Sequence, residues 1–593
     1  MAANSFREDE QMSNTDRKKI FVRMIRYLRP HIAEIIPVFI SLIVTVGISL
    51  ISPLLIEYAI DVHVANKNIR GLITIATVIV ALGVIYILFV KLRMYMMNKV
   101  ANKVLLDIRQ ELYEHIQTLS FTFFDNRPTG KILARIIGDV NSMKDVMANT
   151  ITNLIPNFIT VFGVVIIMLI KDWKLALGCF ASLPIMVVSI FWIRNVNHKR
   201  WQDVRKKASN MNAYVHEDIA GISVVQSFHA EKETKTTFRE LANAHRDAYI
   251  SACRAADLFG PSIDMSWAIS SMILYLVAIR LLGYTAASVG LITAFASYSS
   301  MFWSPIMGLS NYYNQLITNI TAAERVFDIL DTEAEIVDKE GAKELPEISG
   351  SVSFENVGFT YDEGTETQTR VLENVNFDVK PGETIALVSP TGAGKTTIVN
   401  LISRFYDIQK GKILVDGYDL TDVTINSLRK QMGIMTQDNF IFHGTVRENI
   451  MYGNLEATEE EMIAAAKAVN AHDFIMNLEN GYDTELKERG AGLSIGQRQL
   501  LAFARTMISM PKILILDEAT SSIDTHTEML VQKGIQALLK GRTSFVIAHR
   551  LSTIKNADRI FVINGGGIME AGNHDQLMAR RGAYYQLYQA QFA

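Results

Sequence analysis

Apolar residues lie in long unbroken runs up to about Thr321 and in short, punctuated runs after it. The stretches near Ile35–Ile60, Gly71–Met97, Ile151–Ile170, Trp173–Ile193, Leu258–Leu282 and Val289–Ile317 are each long enough to cross a bilayer as a helix, which takes about 20 residues. Their connections alternate in length. Asp61–Arg70, Lys171-Asp172 and Gly283–Ser288 are short, whereas Asn98–Thr150 and Arg194–Asp257 are long and rich in Lys and Arg. The long connections, and with them both termini, are therefore expected on the cytoplasmic side. Helical spacing persists within them, as in Val100, Val104, Leu105, Ile108, Leu112 and Ile116. That spacing predicts membrane helices extended into the cytoplasm, turning near Phe123-Phe124-Asp125 and Tyr214–Gly221. Ahead of the first run, Asp16–Pro30 alternates basic and apolar residues as a helix lying on the membrane surface would.

Beyond Thr321 the chain turns acidic and polar, then offers short β-rich runs at Ser351–Tyr361, Thr384–Val388, Lys512–Leu516 and Ser544–Ala548. The expected organisation is a tail and surface helix over 1–30, six membrane helices over 31–320, a linker over 321–349 and a soluble α/β domain over 350–593. Composition agrees with a membrane half joined to a soluble half, since 49% of the 593 residues are hydrophobic and most of the excess precedes the linker. A net charge of −3 gives no electrostatic case for a nucleic-acid partner. The only cysteines, Cys179 and Cys253, have no metal-like spacing and read as structural thiols. Met1–Lys19 lacks the apolar core of a signal peptide.

The soluble half carries the chemistry. Ser389-Pro390-Thr391-Gly392-Ala393-Gly394-Lys395-Thr396-Thr397 sits between an apolar strand and a new helix, the setting of a phosphate-binding loop. Its glycines let successive N–H groups face one anion, Lys395 adds charge, and Thr396 offers a hydroxyl to Mg²⁺. Ser389 stands where such loops usually carry a first glycine, and serine suits a turn well enough for the loop to survive. Asp517 and Glu518 end an apolar strand, where one carboxylate can hold the metal shell and the other can orient or deprotonate water. Gln437, in Met435-Thr436-Gln437-Asp438, and His549, after the run Ser544–Ala548, add groups able to reach metal, water or γ-phosphate. Tyr361 could stack on adenine. In the membrane half, Glu57 and Arg280 lie near the ends of runs, where snorkelling suffices. Asp264 lies deeper and is a candidate contact for a cationic substrate, with a cavity-facing solvated carboxylate as the alternative. The 25 methionines suit an adaptable pocket or ordinary packing equally.

Leu493-Ser494-Ile495-Gly496-Gln497-Arg498-Gln499 completes an ordered set that resembles the motifs of ABC ATPases, joined by Ser521-Ser522-Ile523-Asp524. The whole chain resembles ABC exporter half-transporters of the type IV fold. That resemblance implies two ATPase domains sandwiching two ATP molecules, each between one chain's phosphate loop and the other chain's signature. Ser389–Thr397 would hold phosphates, Tyr361 adenine, Thr396, Gln437 and Asp517 the Mg²⁺, Glu518 the water and His549 the γ-phosphate. Ser494, Gly496 and Gln497 would cap the partner's nucleotide and Asp524 would link the two sites. Glu488 resembles the loop that senses the membrane helices, with Lys487 in place of its usual glycine. Ile495 also replaces a glycine, which removes backbone clearance and disfavours unusual dihedrals. An impaired signature beside an intact Glu518 resembles the D-type subunit of bacterial heterodimeric multidrug exporters. The expectation is ATP-driven efflux of amphipathic compounds across the plasma membrane, with a homodimeric exporter, a lipid flippase and a nucleotide-gated, non-pumping protein as the alternatives.

Overall fold

The computed structural model describes residues 17–125, 127–281, 288–361, 369–390, 393–436, 439–517, 525–547 and 551–592. The chain forms two compact units, one running to Gln117 and resuming over Pro128–Thr332, the other made of Thr118–Arg127 with Glu333–Ala593.

In the first unit, α1 (Arg17–Arg26) buries Ile20 and Met24 and is pinned by Arg23, whose guanidinium reaches Asp331 at 2.7 Å and covers the Phe327 ring at 4.2 Å. Helix α2 (Ile32–Tyr58) is followed by α3 (Ile69–Thr118), 50 residues long, whose cytoplasmic half buries Val100, Val104, Ile108 and Leu112 as the spacing requires. The first expected turn is a short helix, α4 (Phe121–Asp125). Then come α5 (Thr129–Ala134), a π turn over Arg135–Asp139, α6 (Val140–Asn149), a second π turn over Thr150–Leu154, and α7 (Ile155–Lys171). Asp172 caps α8 (Trp173–Phe180), its carboxylate accepting from the N–H groups of Lys174 and Leu175. Helix α9 (Leu183–Ala220) turns at Gly221 into α10 (Ile222–Ser227) and returns as α11 (Glu231–Ala256) and α12 (Phe259–Leu281). The last helix, α13, is Val289–Leu330.

Five helical stretches among the described residues are long and apolar enough to span a membrane. The sixth expected span lies in α13, where Ser297, Tyr298, Ser299 and Ser300 dilute the apolar run. Two of those hydroxyls are satisfied on backbone, Ser297 donating to the Thr293 carbonyl at 3.0 Å and Tyr298 to that of Leu50 at 2.7 Å. Residues 321–330 of the expected linker continue this helix, because Ala322, Ala323, Val326, Phe327 and Ile329 give it a buried face. Glu57, expected to snorkel, pairs with Lys171 at 3.0 Å.

Among the described residues the second unit holds two larger sheets and a two-stranded antiparallel ladder of Gly444–Thr445 with Glu485–Leu486. Of the larger two, the antiparallel one has the order β2-β1-β4-β5, from β1 (Val352–Tyr361), β2 (Thr369–Val379), β4 (Lys410–Val415) and β5 (Tyr418–Asp419). The other has the order β10-β9-β3-β8-β7-β6, from β3 (Thr384–Val388), β6 (Met432–Met435), β7 (Ile513–Asp517), β8 (Thr543–Ile547), β9 (Arg559–Asn564) and β10 (Gly567–Gly572). All its pairings are parallel except the β9–β10 edge. Its strands are nearly continuous apolar runs, as a sheet buried on both faces demands. Register brings Asp517 opposite Ile547 and Leu516 opposite Met435, so β6, β7 and β8 finish at one edge, beside the end of β3.

Candidate nucleotide site

That edge is where open parallel sheets bind ligands. Strand β3 runs into Ser389, and Gly394 then opens α14 (Lys395–Ile402) with φ +105°. A Cβ at Gly394 would lie 3.1 Å from both Leu372 and Val371 side chains, so the position needs glycine for conformation and for room. Lys395 folds its ammonium back to the Ser389 carbonyl at 2.9 Å and the Ser389 hydroxyl at 3.1 Å. Ser389 in turn donates to the Pro390 carbonyl at 2.7 Å. The serine thus serves the loop with its side chain as well as its backbone. Burial pushes the Lys395 ammonium below its usual range, and the Asp517 carboxylate opposes that shift. Thr396 is exposed, whereas Thr397 is buried. Thr396 and Asp517 supply hard oxygen donors, the kind that suits Mg²⁺ completed by water and phosphate oxygens.

Tyr361 ends β1 with its hydroxyl 3.2 Å from that of Thr397, on the first turn of α14. Its ring meets Phe359 edge-on at 4.8 Å and Tyr406 at 5.2 Å. Sequence reasoning missed Tyr406, whose hydroxyl donates to Asp125 on α4 at 2.5 Å while its neighbour Phe405 packs on Phe121 at 4.4 Å. The loop carrying both aromatics is held by Arg404, 2% exposed, which bonds Asp407 at 3.1 Å and the carbonyls of Val423 and Val337 at 3.0 and 3.2 Å. An Arg beside two aromatics, seven residues past the end of the phosphate loop, was the available signal. Phe123 and Phe124 pack edge-on against each other at 5.3 Å.

Ser494 is the N-cap of α15 (Ile495–Ile508). Its hydroxyl accepts from the Gln497 N–H at 3.2 Å, and the Gln497 side chain accepts from the Ser494 N–H at 2.9 Å. Gly496 is buried in the first turn. Ile495 is the first helical residue, and this corrects part of the expectation: an ordinary helical conformation there needs no glycine. What remains is the clearance its half-buried side chain removes at the helix N-terminus. Arg505, also unforeseen, ties α15 to the segment after β6 by bonds of 2.8 Å each to the Asn449 carbonyl, the Asn449 side chain and the Phe440 carbonyl. Glu488 is exposed beside Arg489, which has φ +56°.

Thr391, Gly392, Gln437, Glu518, Asp524 and His549 lie outside the described residues. The chain leads to three of them from the shared sheet edge: Met435 lies two residues before Gln437, Asp517 immediately before Glu518, and Ile547 two residues before His549. Asp264 is exposed on α12.

Two family models match the chain, ABC transporter transmembrane region over residues 35–306 and ABC transporter over residues 372–521. YknV of Bacillus subtilis, described as an uncharacterized ABC transporter ATP-binding protein, is 40% identical over 96% of this chain and 94% of its own length. The chain belongs to the ABC transporter family. Among the exporters it is similar to are an ATP-dependent lipid A-core flippase of Syntrophus aciditrophicus, 36% identical over 100% of this chain and 98% of that protein. A putative multidrug export ATP-binding/permease protein of Staphylococcus aureus is 36% identical over 96% of this chain and 99% of its own. A bacterial Atm1-family ABC exporter solved with ATP bound superposes with a TM-score of 0.76 at 29% identity, over 95% of this chain and 99% of that one. This ABC transporter is accordingly a multi-pass membrane protein whose second unit is an ATP-hydrolysing domain.

Proposed function

We propose that the chain is one subunit of a heterodimeric exporter that moves amphipathic compounds across the plasma membrane, with both termini cytoplasmic. The observation that carries the two-chain reading is that the signature serine caps a helix of its own, with Ile495 set into the surface a partner's nucleotide would meet. The membrane unit supports it. Helices α9 and α11 pack chiefly on each other, and the tip they carry exposes Ile219, Val224 and, at 79%, Phe228. A second chain is the natural cover for so much apolar surface.

ATP with Mg²⁺ would supply a phosphoanhydride whose cleavage drives the cycle. Gly394 and the N-terminus of α14 present N–H groups to the phosphates, and Lys395 swings from Ser389 to meet them. Tyr361 offers its ring to adenine. Thr396, Gln437 and Asp517 would hold the Mg²⁺, Glu518 would orient the water, and His549 would contact the γ-phosphate. Ser494, Gly496 and Gln497 would cap the partner's nucleotide, and Asp524 would link the two sites. Because Ile495 weakens that face, the working site is this chain's own phosphate loop, completed by an intact signature from the partner.

Purification of this chain alone tests the reading through its mass and ATPase rate in detergent. A monomeric or inactive chain, restored by co-expression with a second half-transporter, is the expected result. A stable, active homodimer would overturn the heterodimer. The full-length likeness to a lipid flippase favours a second reading of the cargo, and stimulation of ATPase by lipid but not by drugs would establish it.

A further inference from the structure

At the edge where β6, β7 and β8 finish, the second unit contains a cavity of about 30 Å³, room for about one or two waters and nothing larger. Helix α15 and the following helix, α16 (Thr525–Leu539), both contribute to its wall. Phe503, Val531 and Val546 make much of that wall apolar, and its polar groups are Asn439, Gln499 and Asp517. Gln499 and Phe503 are four residues apart on α15 and so share the helix face that lines the cavity.

The signature segment presents three long polar side chains in a row, and two of them are spent close by. Gln497 accepts from the Ser494 N–H at 2.9 Å, and Arg498 donates to the Leu493 carbonyl at 2.8 Å. Gln499 differs. Its Oε1 is buried and has no hydrogen-bond partner among the described residues. A buried amide oxygen without a donor is costly, and such atoms are ordinarily met by protein or by ordered water. A water needs two to four polar partners, and this cavity offers three.

We propose that the cavity holds an ordered water that joins Gln499 to Asn439 and Asp517, which makes Gln499 a positioning residue for the carboxylate that holds the metal. Donors and acceptors balance around it. The water accepts from the Asn439 amide, gives one O–H to Gln499 Oε1 and gives the other to the Asp517 carboxylate. Metal-binding carboxylates depend on hydrogen bonds of this kind for their orientation. The link also runs between two parts of the chain with different duties, because the helix that carries Gln499 is the one Ser494 caps. The inference rests on the reading of Asp517 as a metal ligand and adds the group that steadies it.

Equilibrium binding of adenylyl imidodiphosphate to the full chain in nanodiscs, assembled with its partner if it requires one, tests the link with Mg²⁺ present and with Mg²⁺ chelated. Gln499→Met keeps the length of the side chain and removes the amide. It is expected to weaken the Mg²⁺-dependent affinity about tenfold and to leave the metal-free affinity unchanged. Val531→Ile crowds the cavity from α16 with Gln499 in place, and the same selective loss is expected. Equal weakening with and without Mg²⁺ would mark Gln499 as merely structural and overturn the proposal, as would wild-type Mg²⁺ dependence in either variant. A map of the assembled transporter fine enough to resolve waters is expected to show density beside the Gln499 amide, and a map without it overturns the water on its own. Wild-type affinity indifferent to Mg²⁺ would instead defeat the reading of Asp517, a failure the density result distinguishes from that of the water.

Discussion

Single residues set the terms of this fold where the backbone has no alternative. Gly394 combines a left-handed φ with neighbours at 3.1 Å, so no other residue opens α14. Asp416 shows the same economy in a carboxylate. Burial alone would raise its pKa, but the N–H groups of Ser349, Ser351 and Gly350 and the Ser351 hydroxyl outweigh burial and hold it below the usual carboxylate range. A lowered folded pKa means the stabilisation is full above the unfolded value and is lost as pH falls through the folded one. Asp416→Asn is therefore expected to cost roughly 1–3 kcal/mol near neutral pH, with the gap to wild type closing below about pH 4. Thermal unfolding of the full chain across that range checks it, and a gap independent of pH would refute it. The setting of the phosphate loop, a strand running into Ser389 and a helix opened by Gly394, was legible, because glycine placement and a lysine at fixed spacing are local chemistry. The ring contacts among Tyr361, Phe359 and Tyr406 were not, since they join residues from distant parts of the chain.

At the scale of elements, the short helix α4 is the informative one. The chain enters it from α3 and leaves toward α5, both in the membrane unit, yet its own contacts place it in the other. Tyr406 is its polar anchor and Phe405 its apolar one. Tyr406→Phe keeps the ring packing on Tyr361 while deleting the bond to Asp125, which is worth about 1 kcal/mol. Basal ATPase is expected to stay within about twofold while stimulation by transported compounds falls, since one bond at this strength changes populations by only a few-fold. An unaltered stimulation ratio would show that Asp125 carries no signal. The long helices were readable from apolar runs and i, i+4 spacing, as Val100, Val104, Ile108 and Leu112 show. The π turns were not, because an inserted residue in a helix leaves no compositional trace. The last span was read correctly as a helix but too short, because residues 321–330 look polar until their buried alanines and Phe327 are seen on one face.

Over the whole molecule, the membrane and ATPase halves were separable by composition alone, and the ABC family likeness runs the full length. The pairing with a partner rests on a smaller feature, the side chain at Ile495. Since its backbone is already helical, Ile495→Gly changes clearance at some cost in helix propensity, about 1 kcal/mol or less. The substitution is expected to raise ATPase of the assembled transporter by adding a second competent site. A steady-state rate that stays the same would mean the isoleucine is neutral. The α9–α11 arm bears on the cell as much as on the mechanism. Its bare tip, with Phe228 almost wholly in solvent, is the kind of surface that quality-control proteases and chaperones grip. In the proposed heterodimer, a chain made in excess of its mate would be cleared, so that the abundance of one subunit would set the ceiling for the other.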